Sequence, residues 1–226
     1  MRNTRSVGLA LVISFAMIYS CKKEDATQVK EGNAVEETIE KTSETAPEIT
    51  AGKGKYSIKS GIVEYKTRMM GMEVKQVHTF DDYGKLEAQD VAMEMMGTKI
   101  HNKTIIKDGY LYNLDLIKKT GTKSPINAMT KTDIDFENLS EELIKDMDLK
   151  KLGTEVFLGK TCEKMSIDYK KMQMKGTYLV YKGVPLSMDN EIGTMKIKMV
   201  ADKFVENPSI PADKFEIPAD IVLANQ

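Results

Sequence analysis

From Tyr56 onward the chain is interrupted about every ten residues by a short turn signal, and that spacing leaves little room for anything but a sheet. The runs "YSIKSGIVEYKTRM", "MEVKQVHTF", "LEAQDVAME", "TKIHNKTIIK" and "YLYNLDL" are separated by Met-Gly, Asp-Tyr-Gly, Met-Gly and Asp-Gly. Turns that short join antiparallel neighbours, so these runs read as a meander. A second group follows: "TEVFLG", "TCEKMSIDY", "MQMKGTYLVYKG", "VPLSM" and "TMKIKMVADKFVE". Alternation is cleanest in the last of these, where Met195, Ile197, Met199 and Ala201 share one face and Lys196 and Lys198 the other. One face is therefore expected to be buried and the other wet.

Between the two groups lies "DFENLSEELIKDM", with Asn138 as the expected helix cap and Glu141 three residues on, as in a capping box. Leu139, Leu143, Ile144 and Met147 form its apolar stripe, which predicts a short helix laid as a lid on the sheet's apolar face. Pro208, Pro211 and Pro218 keep the tail "ENPSIPADKFEIPADI" out of any central strand, so it is expected at an edge or wrapped around the domain.

The first twenty residues do not belong to the fold. Arg2 and Arg5 precede an apolar run from Val7 to Ile18 and then the small Ser20, the layout of a secretory signal peptide; the run is too short to span a membrane. Ile18-Tyr19-Ser20-Cys21 resembles a bacterial lipobox, with a bulkier residue than usual at Tyr19. The resemblance implies that residues 1–20 are removed and that Cys21 carries diacylglycerol with palmitate-type chains, a durable membrane anchor. Lys22-Lys23-Glu24-Asp25 resembles the lysine-plus-acidic signal that sends Bacteroidota-type lipoproteins to the outer leaflet of the outer membrane. Residues 21–54 then hold no aromatic side chain and many Glu and Thr, a composition that cannot offset its own ordering entropy, and they read as a disordered tether. The folded domain is expected over residues 55–226.

The balance of 33 basic against 34 acidic residues argues against a nucleic-acid partner. With Cys21 lipidated, Cys162 is the remaining thiol. Its neighbours in "GKTCEKMSI" supply no base, so it reads as a small core hydrophobe. The two histidines, His78 and His101, have no serine or carboxylate at a suggestive spacing, and no phosphate loop or zinc spacing is present, so neither an enzyme nor a cofactor or metal is expected. Sixteen methionines and no tryptophan are an unusual way to fill such a chain. Meander geometry brings Met69, Met70, Met72, Met93, Met95 and Met96 to one rim, two strands apart. Three readings stand: flexible core fillers, a soft mouth for an acyl chain, or a thioether site for Cu(I) through Met69, Met70, Met95 and Met96.

The stretches "IIKDGYLYNLDLIKKTG", "FLGKTCEKMSIDY", "GTYLVYKGVPLSM" and "IPADKFEIPADI" together resemble a family of secreted and lipid-anchored bacterial proteins related to the outer-membrane lipoprotein-carrier fold. The resemblance covers residues 56–221. It implies a mainly β, α+β domain: a strongly curved antiparallel sheet, or half-open β-barrel, of about ten strands with one or two short covering helices. It further implies a lipid or acyl-chain ligand on the sheet's apolar face. Strand parity nominates Met72, Val74, Met93, Tyr110, Tyr112, Met195, Ile197 and Met199 as its wall. The expectation is thus an outer-membrane, lipid-anchored binding protein facing the cell surface or the periplasm. A structural or interaction lipoprotein of the cell envelope, with a solid core, is the alternative.

Overall fold

The computed structural model describes residues 54–69, 72–95, 97–126 and 134–225, within one compact unit, Lys53–Gln226. The expected signal peptide, the expected lipid attachment at Cys21 and the expected tether, up to Lys53, lie outside the described residues.

All ten expected runs are strands. In chain order they are β1 (Gly61–Met69), β2 (Met72–Asp81), β3 (Leu86–Met95), β4 (Thr98–Lys107), β5 (Tyr110–Asp115), then β7 (Lys150–Phe157), β8 (Lys160–Tyr169), β9 (Met174–Tyr181), β10 (Val184–Ile192) and β11 (Met195–Glu206). Two more bring the count to twelve: β6 (Thr120–Pro125) and β12 (Val222–Asn225). Sequence pattern stops at about ten because "TGTKSP" shows glycine, proline and no alternation, while β12 hides in the proline-punctuated tail. Neither carries a local strand signal; β6 is held by its pairing with β5, and β12 by a parallel pairing with β6.

The strands form one curved, unclosed sheet in the order β12-β6-β5-β4-β3-β2-β1-β11-β10-β9-β8-β7, antiparallel except at β12. The chain closes the two meanders on each other by pairing β1 with β11. Hairpins alternate ends. One end carries the β1–β2, β3–β4, β8–β9 and β10–β11 connections, and the other carries β2–β3, β4–β5, β7–β8 and β9–β10.

Helix α1 (Glu141–Asp146) starts later than expected. Its cap is Ser140, whose Oγ accepts from the Leu143 N–H, because Asn138 is spent elsewhere, donating to the Gly54 carbonyl and to Asp135. Of the predicted stripe Met147 is buried, while Leu143 and Ile144 stay exposed. The element is a single turn pinned at its C-terminal end, not a broad lid.

The sheet buries a different face on each side. On the face that meets α1, called here the helix side, Val63, Tyr65 and Phe80 pack with Tyr56 and Ile58 of the entering chain, and Tyr178, Met165 and Ile167 pack with Met147, Phe136 and Leu149. On β3, β4 and β5 the apolar cluster lies on the opposite face: Ala88, Ile105, Tyr112 and Leu114 are covered by Ile210, Phe215, Ile217 and Ile221 of the tail. The tail thus both wraps this second face, the tail side, and ends as an edge strand. A bulge in β10 between Pro185 and Ser187 re-aims the strands beyond it, so Leu179, Val184, Leu186 and Cys162 join the first cluster. Cys162 is fully buried, and burial pushes its thiol up, as the core reading expects.

Candidate functional site

Residues directly opposite in an antiparallel pair share a face. Thr67 on β1 stands opposite Val74 on β2 and opposite Met199 on β11. Met199 in turn faces Met188 on β10, and Met188 faces Tyr178 on β9. In the other direction the Lys75–Ala92 pair aligns Val74 with Met93 on β3, which faces Ile100 on β4. One row on the helix side therefore runs Tyr178, Met188, Met199, Thr67, Val74, Met93, Ile100 across seven adjoining strands. At roughly 4.8 Å per strand this is an apolar stripe lying across the sheet. Val74 and Tyr178 are 3% and 4% exposed, and Met188, Met199, Met93 and Ile100 are half-buried. Gln76 Nε2 donates to Met199 Sδ at 3.6 Å, fixing that thioether from above.

Of the eight predicted wall residues, Val74, Met93 and Met199 lie in this row. Ile197 follows in the next one, opposite Asn190, and Met195 closes the strand at 43% exposure. Met72 holds the register position opposite Met69; its side chain lies outside the described residues. The structure does not bring Tyr110 and Tyr112 to this face. Tyr112 stands opposite Ile105 inside the tail-side cluster, and Tyr110, under the Lys123 ammonium 3.8 Å away, sits beside it. Leu111 and Asn113 take the helix-side positions instead. Parity carried through the meander assumes one buried face, but the buried face inverts at β3. The methionine rim is seen through its backbone only: the β1–β2 and β3–β4 hairpins do fall at one end, two strands apart. Met70 and Met96, and the side chains of Met69, Met72 and Met95, lie outside the described residues.

Two polar atoms near the stripe are buried without a hydrogen-bond partner among the described residues, Thr67 Oγ1 and Asn190 Oδ1. Asn190 donates to the Tyr178 hydroxyl through Nδ2, and its Oδ1 occupies the space a Cβ would need at Gly176. Alongside the end of the stripe, the helix-side face of β3 to β6 also carries polar residues, half-buried Gln89 on β3, Asn102 and Thr104 on β4, Asn113 on β5 and Thr122 on β6. Two shallow clefts flank the sheet. One of about 320 Å³ lies by Asp168, Gln173, Met174 and Glu191 at the methionine end, and one of about 270 Å³ lies under the tail by Leu86 and Phe215.

At the opposite end sits a polar cluster that sequence reasoning missed. Glu87, 5% exposed, accepts from Lys55 Nζ at 2.8 and 2.9 Å, from the Tyr56 hydroxyl at 2.9 Å and from His78 Nε2 at 2.9 Å. Burial pushes its carboxyl up, but the charge of Lys55 and the hydrogen bonds from His78 and Lys55 outweigh that and hold it at about 2. The carboxylate stays ionised, so the His78 nitrogen must be the donor. This constellation ties the entering segment 54–60 across the sheet end, helped by Tyr56 N–H to the Tyr83 carbonyl and Ser57 N–H to the Lys182 carbonyl. Its lone pairs are spent on one another, which suits a latch better than a general base. Nothing in "KLEAQD" marks Glu87, because its partners lie 9, 31 and 32 residues away. His101 pairs with Asp90 at 2.8 Å on the tail side. Among the described residues no group of three or more His, Cys, Asp and Glu could hold a metal ion, and no helix is long and apolar enough to cross a membrane.

Among solved structures the chain is similar to an uncharacterized conserved protein from Thermus thermophilus, at 13% identity and a TM-score of 0.53 over 75% of this chain and 92% of that one. The shared property is the fold. Looser likenesses are to a chain of the Pseudomonas aeruginosa MucA/MucB complex (10% identity, TM-score 0.47, 75% of this chain and 59% of that one) and to a putative outer membrane lipoprotein-sorting protein domain from Vibrio parahaemolyticus (10% identity, TM-score 0.33, 70% and 89%). No family model and no curated protein matches the sequence.

Proposed function

We propose that this protein is a lipid-anchored lipoprotein of the cell envelope that holds an apolar ligand, a lipid or acyl chain, along the seven-strand stripe on the helix side of its sheet. The observation that carries the reading is the register itself: Met188, Met199, Val74, Met93 and Ile100 fall in one row and are only partly covered, apart from Val74. Thioether side chains with several rotatable bonds suit a surface that must repack around a variable hydrocarbon. The N-terminal resemblance to a lipobox supplies the anchor through Cys21, with the outer membrane as its address. No catalytic step is part of the proposal, since the buried carboxylate of Glu87 is tied up in the latch.

The competing reading, a structural or interaction lipoprotein with a solid core, is favoured by the burial of Val74 and Tyr178. Native mass spectrometry of the full chain, extracted from membranes in mild detergent, separates the two. The ligand reading expects a co-purifying lipid mass that is lost in Met93→Lys and Met199→Lys, with circular dichroism unchanged. A ligand-free wild type that also fails to take up added fatty acid would leave the solid-core reading. Replacement of Cys21 by serine is expected to abolish palmitate incorporation and membrane retention.

A further inference from the structure

The polar residues beside the stripe are themselves in register. His78 stands opposite Gln89, Gln89 opposite Thr104, Thr104 opposite Asn113 and Asn113 opposite Thr122, so one row on the helix side crosses β2 to β6. The row between it and the stripe holds Gln76, Val91, Asn102 and Asp115. Along β4 the step from Ile100 of the stripe to Asn102, and again to Thr104, is about 7 Å. Thr104 Oγ1 donates to Asn113 Oδ1 at 3.2 Å. The half-buried side chains of Gln89, Asn102 and Thr122 make no hydrogen bond to other described residues.

Charge is segregated across this part of the sheet. Every lysine of β2–β6, namely Lys75, Lys99, Lys103, Lys107 and Lys123, stands on the tail side. The acidic groups that these strands place on the helix side are spent internally. Glu87 holds Lys55, Tyr56 and His78 in the latch, and Asp115 accepts from the Lys118 ammonium at 2.7 Å and from the N–H groups of Ile117 and Lys118.

We infer that the ligand of the stripe is an amphiphile with an uncharged, hydroxyl-bearing headgroup, as in an acylglycerol or an alkyl glycoside, seated on Gln89, Asn102, Thr104, Asn113 and Thr122. The inference rests on the stripe being a lipid site and adds the chemistry of the headgroup. Amide and hydroxyl side chains both donate and accept, which matches ligand hydroxyls that do the same. A phosphate or carboxylate meets the opposite situation: a half-buried face whose strands offer it no cation, with Lys55 already held by Glu87. Shedding water from a charge without a partner is costly, so the face selects against anions. The hydrocarbon lies on the row that ends at Ile100, and the headgroup rests on the two rows next to it.

Competition on the full chain in phosphatidylcholine nanodiscs tests this. A photoactivatable monoacylglycerol is the probe, and unlabelled monolauroylglycerol, dodecyl glucoside, lauric acid and dodecyl phosphate, which share one chain length, are the competitors. The neutral pair is expected to displace the probe at about tenfold lower mole fraction in the disc than the anionic pair. In Asn102→Leu/Asn113→Leu that preference should fall about tenfold, with laurate competing as before and circular dichroism unchanged. Thr104→Lys, which sets a cation on this face, should turn the preference toward the anions. Equal competition in the wild type, or a preference that neither variant moves, would overturn the headgroup assignment while leaving the stripe a site for the chain. If no probe labels peptides carrying Met93, Met188 or Met199, the ligand reading itself falls, and this inference with it.

Discussion

The strands β3 to β5 and the strands β8 to β10 belong to one sheet yet bury opposite faces. In β8–β10 the apolar residues Met165, Ile167, Tyr178 and Val180 point to the helix side and are met by Met147 and Phe136. In β3–β5 the apolar residues Ala88, Ile105, Tyr112 and Leu114 point to the tail side and are met by Phe215. The inversion leaves the helix-side face of β3–β6 free to carry Gln89, Asn102, Thr104, Asn113 and Thr122, so the apolar stripe ends in a polar field. A single sheet thus builds two cores and keeps, between them, a surface that belongs fully to neither.

Both faces of the sheet are covered at β3, where neighbours Glu87 and Ala88 are both buried, one on each face. Removing the carboxylate there should do the most damage: Glu87→Ala leaves Lys55 without its counter-charge and His78 and Tyr56 without their acceptor, and is expected to cost about 3–5 kcal/mol in urea denaturation. The same group sets an acid limit. Its carboxyl is held at about 2 against an ordinary 4.5. Its contribution is therefore present above 4.5 and lost as pH falls from there toward 2. Stability measured over that window should decline more steeply in the wild type than in Glu87→Gln; parallel profiles would show that the latch contributes nothing.

Phe215→Ala tests the independence of the tail-side core. A cost of about 3 kcal/mol is expected, with hydrogen exchange accelerating in β3–β5 and the tail before β8–β10. Equal acceleration in both regions would mean the two cores are one. Gly176→Ala perturbs the other side, since a Cβ there would meet Asn190 Oδ1 at 1.9 Å and the Asp189 carbonyl at 2.5 Å. About 2 kcal/mol is expected, read by thermal melting. The smallest effect belongs to Ser140→Ala, which removes the α1 cap and should cost about 1 kcal/mol or less, because that helix turn is mostly exposed.

What is legible in the sequence follows this division. Alternation and turn residues place all ten patterned strands, and Met195, Ile197 and Met199 fall on one face because β11 alternates strictly there. Strands β6 and β12 are illegible because their pairing, not their composition, makes them strands. Tyr110 and Tyr112 fall on the tail side, away from the other predicted wall residues, because parity says which residues share a face but not which face is covered. That depends on where a distant tail comes to rest, and Phe215 is about a hundred residues away in the chain. The cap passes from Asn138 to Ser140 for a similar reason: the Gly54 carbonyl and Asp135 compete for the asparagine. Glu87 is invisible because a latch across 32 residues leaves no local pattern.

The most direct test of the central claim uses a photoactivatable fatty acid on the intact chain, followed by peptide mass spectrometry. Labels are expected on peptides carrying Met93, Met188 and Met199, and competition by unlabelled fatty acid should remove them. Labels confined to the tail-side cleft near Leu86 and Phe215, or scattered labels that competitor does not reduce, would contradict the stripe as the ligand site.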